Sequence, residues 1–390
     1  MSDPVIRIAA RGDGVTAAGK HVAFGVPGDV VLDDGTLQQG PGHQVPPCRH
    51  FPICGGCQLQ HLTDAAYADY CRSRVVGALA QHGIETEVRE PHLSPPRSRR
   101  RATLRALSLG KGIAIGFNEA GSNRVVDLRE CHVLRPELFA LVEPLRRLFK
   151  TILPAKRSGE IQMSLTQDGV DLSLKGVQIV GLAAIEGLTE FAKTHGLARL
   201  SVDEGYGPET RYEPKPTSVS LSGTRVALPT GAFLQATEDG ERALVEAVLE
   251  ATAGAARTAD LFAGLGTFAL AMPGEVMAAE AARDPILALK AAAPRVKAEH
   301  RDLYRRPYEA DELADFDAVV LDPPRSGAFE QIARLAESSV PRIAYVSCNP
   351  ATFARDAEKL VEGGYRLAWV RPVGQFRWST HVELAAAFTR

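Results

Sequence analysis

Apolar and polar positions change their period twice along this chain. From about residue 238 onward, short continuous apolar runs alternate with stretches of helical spacing. Ala318-Val319-Val320-Leu321 and Ile343-Ala344-Tyr345-Val346 are apolar throughout, as strands buried on both faces of a parallel sheet are. Between and before them the spacing predicts a helix over 239–251, a strand ending at Asp260, a Gly-rich turn and then a helix, strands over 275–279 and 295–299, and a helix over 351–360. Helix and strand in alternation predict a doubly wound parallel sheet, placed here as an α/β domain over residues 231–390.

Upstream the period shortens. Ile161-Gln162-Met163-Ser164-Leu165 and Val170-Asp171-Leu172-Ser173-Leu174 alternate strictly, and 136–149 has helical spacing. With an amphipathic helix expected over 65–82, residues 46–230 read as a central α+β domain. Residues 1–45 are Gly-rich and carry only short β-type pieces (Val5–Ile8, His21–Phe24, Asp29–Leu32). That is too little for a closed five-stranded barrel, so a small or incomplete β module is expected.

Composition changes this picture little. The 390 residues are 45% hydrophobic, with 45 Lys and Arg against 47 Asp and Glu. No run reaches membrane-spanning length and the start lacks a secretory signal, so a cytoplasmic protein is expected. Near-neutral charge argues weakly against nucleic acid, but Arg97, Arg99, Arg100, Arg101 and Arg105 fall together. Such a run is most often a solvated face. On a strand, alternate members of Arg99-Arg100-Arg101 would leave one side and could track a phosphate backbone.

Cysteine placement is more specific. Cys48, Cys54 and Cys57 cluster as C-x5-C-x2-C, with Cys131 remote and Cys71 and Cys348 alone. In a cytosolic chain the cluster reads as metal-binding before disulfide-bonded, and its spacing leaves zinc and iron–sulfur both open. Cys348 ends an apolar run, with Asn349 suited to a helix N-cap and Pro350 to the first helical position. A helix N-terminus favours thiolate over thiol, the form a nucleophile needs.

Three other motifs accompany it. Asp260-Leu-Phe-Ala-Gly264-Leu-Gly266-Thr-Phe268 reads as a strand closing in a Gly-rich turn, where the backbone can approach a ligand. Glu280, at the end of the next strand, can accept both hydroxyls of a ribose, and Asp302 beyond the third can meet an adenine edge. With no third glycine and no Walker lysine, S-adenosylmethionine fits better than NAD. Asp322-Pro323-Pro324-Arg325 puts a carboxylate on a rigid loop at the sheet's carboxyl edge. His381 and Glu383 enter a final apolar strand and should share a face, which makes Glu383 a candidate base beside the thiolate.

Together these segments resemble the RNA uridine-C5 methyltransferases, and within them the iron–sulfur enzymes acting on 23S ribosomal RNA. The resemblance runs from about Pro46 to Arg390. It rests on Cys48-x5-Cys54-Gly-Gly-Cys57-Gln-Leu-Gln-His, Cys131-His-Val-Leu, Gly231-Ala-Phe-Leu-Gln235, the Asp260 and Asp322 motifs, Ser347-Cys-Asn-Pro and His381-Val-Glu. It implies a Rossmann-like S-adenosylmethionine-dependent methyltransferase domain and a central domain with a [4Fe–4S] cluster on Cys48, Cys54, Cys57 and Cys131. The amino-terminal module looks like a truncated OB/TRAM-like domain. Gln235, Phe262, Thr267, Glu280, Asp302 and Asp322 would line the cofactor pocket, with Cys348 as nucleophile and Glu383 as base. Thr237 and Thr267 stand where many relatives have Asn, and Gln375-Phe376-Arg377-Trp378-Ser379 replaces a more usual Met-Phe-Pro-His segment.

The chemistry matches the residues. Uracil C5 is a poor nucleophile until a thiolate adds at C6, and the adduct then needs a base to remove the C5 proton. The target base must leave its stack to reach the site, which favours a loop or end in 23S ribosomal RNA, bound by a monomer. Three alternatives stay open: the transfer RNA T-loop as substrate, methyl transfer to an exocyclic amine, and a non-catalytic RNA-binding protein with a vestigial methyltransferase fold. An Asp-Pro-Pro followed by Arg325, together with Cys348, argues against the amine.

Overall fold

The computed structural model describes residues 2–110 and 112–390. Its contacts group the chain into two units: 1–46 with 58–94 and 239–390, and 47–57 with 95–238. The linear division expected from sequence, at 45/46 and 230/231, therefore differs from the observed grouping. Segment 58–94 goes with the carboxyl-terminal sheet because its helix Asp64–Ala80 buries Tyr67, Tyr70, Cys71, Val75 and Leu79 in that sheet's core.

In the first unit the strand order is 296–300, 275–280, 257–261, 318–321, 342–347, 383–389, 366–374. The two-residue strands Glu87–Val88 and His92–Leu93 pair with the last of these. The first five are parallel and 383–389 is antiparallel to both neighbours. The order reverses between 257–261 and 318–321, so the crevice for a ligand lies outside the carboxyl ends of these strands. Buried Val319, Leu321, Ile343 and Tyr345 account for the continuous apolar runs. Residues 3–38 supply five short strands, all antiparallel, in the order 21–22, 14–16, 3–8, 30–31, 37–38. Two of these strands, 14–16 and 37–38, carry too few apolar positions to stand out in the sequence.

One expected element is absent. After strand 257–261, residues 262–271 form consecutive turns, not a helix. Phe262 (φ 65°), Gly264 (φ 55°) and Gly266 (φ 88°) are left-handed at alternate positions, which a right-handed helix through 262–266 does not allow. Gly266 has no room for a side chain, since a Cβ there would meet Leu289 Cδ1 at 2.5 Å, whereas Gly264 faces open space.

The second unit has a six-stranded sheet in the order 208–212, 199–203, 169–175, 158–166, 101–108, 113–116, with helices Pro136–Phe139, Val142–Ile152 and Leu182–Thr194. The single helix expected over 136–149 is broken at 140–141. Strand 101–108 is the basic strand of the sequence reading, but it starts at Arg101, so Arg99 and Arg100 precede it.

Candidate active site

Strand ends place the chemistry. Glu280 closes strand 275–280, Asp302 lies two residues beyond 296–300, Asp322 follows 318–321 and Cys348 follows 342–347. Because these strands are parallel and in register, all four reach the same carboxyl edge. Glu383 opens the antiparallel strand whose Leu384 pairs with Ser347, so it arrives at that edge from the other direction. Strand structure begins at Glu383, and this corrects the expected pairing of His381 with it. His381 is exposed and rests against Phe376, while Glu383 is buried.

Around the left-handed turn, backbone donors fix two carboxylates. Glu280 Oε2 accepts from Gly264 N–H (3.0 Å) and Oε1 from Ala282 N–H (2.6 Å). Asp302 Oδ1 accepts from Tyr304 N–H (3.0 Å), and the Tyr304 ring lies 5.6 Å from Phe262. Asp260 is fully buried. Its Oδ2 accepts from Ala269 N–H (2.8 Å), while Oδ1 finds no hydrogen-bond partner among the described residues. Burial, and then the charge of Glu280, push its carboxyl up to about 7. Asp322 is likewise raised by burial and by Glu383 and Asp260. Buried Asp260 and Asp322, each raised by burial and by neighbouring negative charge, suit a cationic ligand, and the sulfonium of S-adenosylmethionine is one. Asp260 was not singled out in the sequence as a site residue; an acid ending a buried strand was the available signal.

Asn349 caps helix Pro350–Glu362, its side chain accepting from Ala351 N–H (3.1 Å), as its position after Cys348 predicts. The thiol does not follow the expectation of a stabilised thiolate. Burial raises it above the ordinary cysteine range, and the charges of Glu383 and Asp322 add to this, against the lowering influence of Arg325. A helix dipole is a partial charge, and here two carboxylates and desolvation outweigh it. Leu321 pairs with Tyr345 and Ser347 with Leu384, so the strand ends carrying Asp322, Cys348 and Glu383 are neighbours in the sheet.

In the second unit the basic triplet turns inward. Arg100 is 4% exposed, donating from Nε to Gln235 O (3.1 Å) and from its backbone N–H to Ala236 O (2.9 Å). Arg101 Nη1 donates to Leu234 O (2.9 Å) with its guanidinium over Phe233, and Arg99 Nε donates to Arg101 O (3.0 Å). This corrects the expected phosphate-tracking face at Arg100, which together with Arg101 holds segment 234–236, where Gln235 is buried. Arg97 and Arg105 remain the exposed members of the run.

Cys48, Cys54, Cys57 and Cys131 belong to this unit. Burial pushes Cys54 up to about 11, with the charges of Cys131 and Cys48 adding to it. Cys131 is raised by burial and by Cys48. Cys48, Cys54 and Cys131 thus feel one another's charge, Cys57 N–H donates to Cys54 O (3.4 Å), and four cysteines are a suitable donor set for a soft metal. They do not converge as ligands: among the described residues no group of three or more His, Cys, Asp or Glu could hold a metal ion. Ligation requires thiolates, and a bound metal ion or cluster would itself lower the pKa of the thiols that hold it.

Acids at successive strand ends, with a cysteine and a buried carboxylate on the same sheet edge, are the arrangement of a methyltransferase-type α/β enzyme. Residues 297–390 match the family model described as tRNA (Uracil-5-)-methyltransferase. An uncharacterized RNA methyltransferase of Zymomonas mobilis is 48% identical over 99% of both chains. The 23S rRNA (uracil(1939)-C(5))-methyltransferase RlmD of Thiobacillus denitrificans is 33% identical, over 88% of this chain and 85% of its own. Among solved structures, Pyrococcus abyssi tRNA (uracil-54, C5)-methyltransferase in complex with S-adenosyl-L-homocysteine superposes with a TM-score of 0.76 over 100% of both chains, at 22% identity. The chain belongs to the RNA (uracil-5-)-methyltransferase family. No helix among the described residues is long and apolar enough to cross a membrane.

Proposed function

We propose that this protein methylates C5 of a uridine in 23S ribosomal RNA, as a cytoplasmic monomer. The observation that carries the reading is geometric: Asp322 and Cys348 directly follow the paired parallel strands 318–321 and 342–347, and Glu383 opens the strand whose Leu384 pairs with Ser347. Bound S-adenosylmethionine supplies the methyl group. Phe262, Thr267, Glu280, Asp302 and Asp322 would hold it, Glu280 suited to the ribose hydroxyls and Asp302 to the adenine edge, and Gln235 is the further residue that the family resemblance assigns to it. Cys348 adds through Sγ to C6 of a flipped uracil, which raises electron density at C5. After transfer, Glu383 takes the C5 proton and the thiolate leaves. Glu383 is buried at the strand end beside the cysteine, where it is placed to take that proton.

The choice of ribosomal over transfer RNA rests on the similarity to RlmD and on the four cysteines. We also infer a [4Fe–4S] cluster at Cys48, Cys54, Cys57 and Cys131, supported by the four-cysteine donor set and its C-x5-C-x2-C spacing. No step of the reaction runs through it. Mass mapping of 5-methyluridine in RNA from cells with and without the gene tests the substrate. Loss of one 23S site supports the reading, and loss confined to the transfer RNA T-loop replaces it with that alternative. Iron and acid-labile sulfide in anaerobically purified protein test the cluster, and stoichiometric zinc without iron rejects it.

A further inference from the structure

Loop 322–328 carries both Asp322 and Arg325, and it is tied to the element that carries the thiol. Asp356, on helix Pro350–Glu362, is 1% exposed. Its Oδ2 accepts from Ala328 N–H at the end of the loop (2.9 Å) and from Tyr345 O–H on the strand leading to Cys348 (2.6 Å). Its Oδ1 accepts from Arg355 Nε (2.9 Å) and Nη2 (2.6 Å), and the same Nη2 donates to Ser326 O (3.1 Å). The fit is close: a Cβ on Gly327 would meet Asp356 Oδ2 and Arg355 Nη2 at 2.6 Å each.

Nearer the thiol, Asn349 Nδ2 and Thr352 Oγ1 both donate to Arg325 O (3.3 Å each). On the loop's other side, Tyr304 O–H donates to Gly327 O (2.8 Å) and lies 3.0 Å from Ser326 Oγ. The loop is therefore joined on one side to the neighbourhood of Asp302 and Phe262, and on the other to the strand and helix flanking Cys348.

We propose that Asp356 is a positioning residue for methyl transfer: it locks loop 322–328 to the elements bearing Cys348, so that the methyl-donor pocket and the thiol keep one fixed separation. The proposal rests on the uracil-C5 reading given above. The physical reason is that transfer between two bound partners depends steeply on their alignment, and a misplacement of about 1 Å can cost on the order of 10²-fold in rate. A carboxylate is the right device, because one group accepts from the loop, the strand and the helix at once, and a buried charged acceptor makes stronger hydrogen bonds than a neutral one.

The test uses the full chain with a 23S transcript, S-adenosylmethionine and two variants. Asp356→Asn keeps the shape and loses the charge, and Tyr345→Phe removes only the strand contact. Expected for Asp356→Asn is a fall in kcat of roughly 10²-fold, with the Kd for S-adenosylmethionine and the rate of Cys348 alkylation each within about threefold of wild type. Tyr345→Phe should show a smaller fall of the same kind. A lowered Tm with unchanged kcat makes Asp356 merely structural and overturns the proposal. Hydrogen exchange decides it without RNA: the amide of Ala328 should exchange faster in Asp356→Asn, while strand 257–261 stays protected. If Ala328 remains as protected as in wild type, the lock does not exist. Wild-type protein that methylates no uridine defeats the uracil reading instead, a result the exchange measurement does not share.

Discussion

The carboxyl edge of the large sheet and the cysteine-bearing unit were both marked in the sequence by dense motifs, and they fared differently. At the edge, Glu280, Asp302, Asp322 and Cys348 stand where strand ends predict them. In the other unit, Arg99, Arg100 and Arg101 turn inward to backbone carbonyls, and among the described residues no group of cysteines is arranged to hold a metal ion. The difference lies in what fixes a side chain. A residue at the end of a parallel strand is placed by the backbone ladder, which the apolar pattern already encodes. A cation or thiol beyond such an end is placed by its tertiary partners, and these are not local in sequence.

The largest effect should come from Cys348→Ser. If the edge is a reaction center, this variant lowers methylation by at least about 10⁴-fold, since covalent activation of C5 is lost outright. S-adenosylmethionine should bind with nearly unchanged Kd, because the thiol acts on the base. Normal turnover in this variant would remove the comparison's first half.

Next in size is Glu383→Gln, with an expected loss of about 10²–10⁴-fold in turnover. Methyl transfer would proceed without removal of the C5 proton, so protein and RNA should co-migrate on a denaturing gel. An inactive variant with no adduct would reassign Glu383 to binding or folding.

The pH profile sharpens the same point. Burial first, then Glu383 and Asp322, raise the Cys348 thiol above its ordinary range. A raised pKa leaves little thiolate at neutral pH, so adduct formation should increase about tenfold per pH unit below that pKa. Glu383→Gln removes one of the raising charges, and its adduct-forming limb should shift toward lower pH than that of wild type. A shift to higher pH would mean that the carboxylate assists the thiol as a base.

Legibility follows the same division within the fold. Helix 350–362 with its Asn349 cap was readable because Asn-Pro after an apolar run is a local signal. The turns over 262–271 were not, since Phe262 at φ 65° is a non-glycine residue in the left-handed region, which sequence pattern does not reveal. Helix 64–80 was readable as a helix, but its place in the first unit depends on distant partners such as Phe376 and Ser379, whose carbonyls accept from Tyr67 O–H. The direction of the thiol's shift was hidden for a like reason: Glu383 lies 35 residues beyond Cys348 in the chain and meets it only through strand pairing.

The smallest effect expected is on the other side of the comparison, at Arg100. Its side chain is 4% exposed and donates to Gln235 O, and its own carbonyl accepts from Leu165 N–H (2.7 Å). Arg100→Met keeps much of the apolar stem and deletes the charged donor, leaving a buried carbonyl short of one bond. The cost should be about 1–3 kcal/mol. For a unit of this size that is a fall in Tm of roughly 2–4 °C per kcal/mol. A phosphate contact would behave otherwise: its loss would reduce the dependence of RNA affinity on salt by about one counterion and leave Tm unmoved. Arg97→Met and Arg105→Met, at the exposed members of the run, are the controls that can change the salt slope. If Arg100→Met flattens that slope while Tm holds, the guanidinium reaches RNA and the inward reading of the triplet is wrong. If Tm falls and the slope stays, the triplet is an internal fastening, and the basic run's contact with RNA reduces to Arg97 and Arg105.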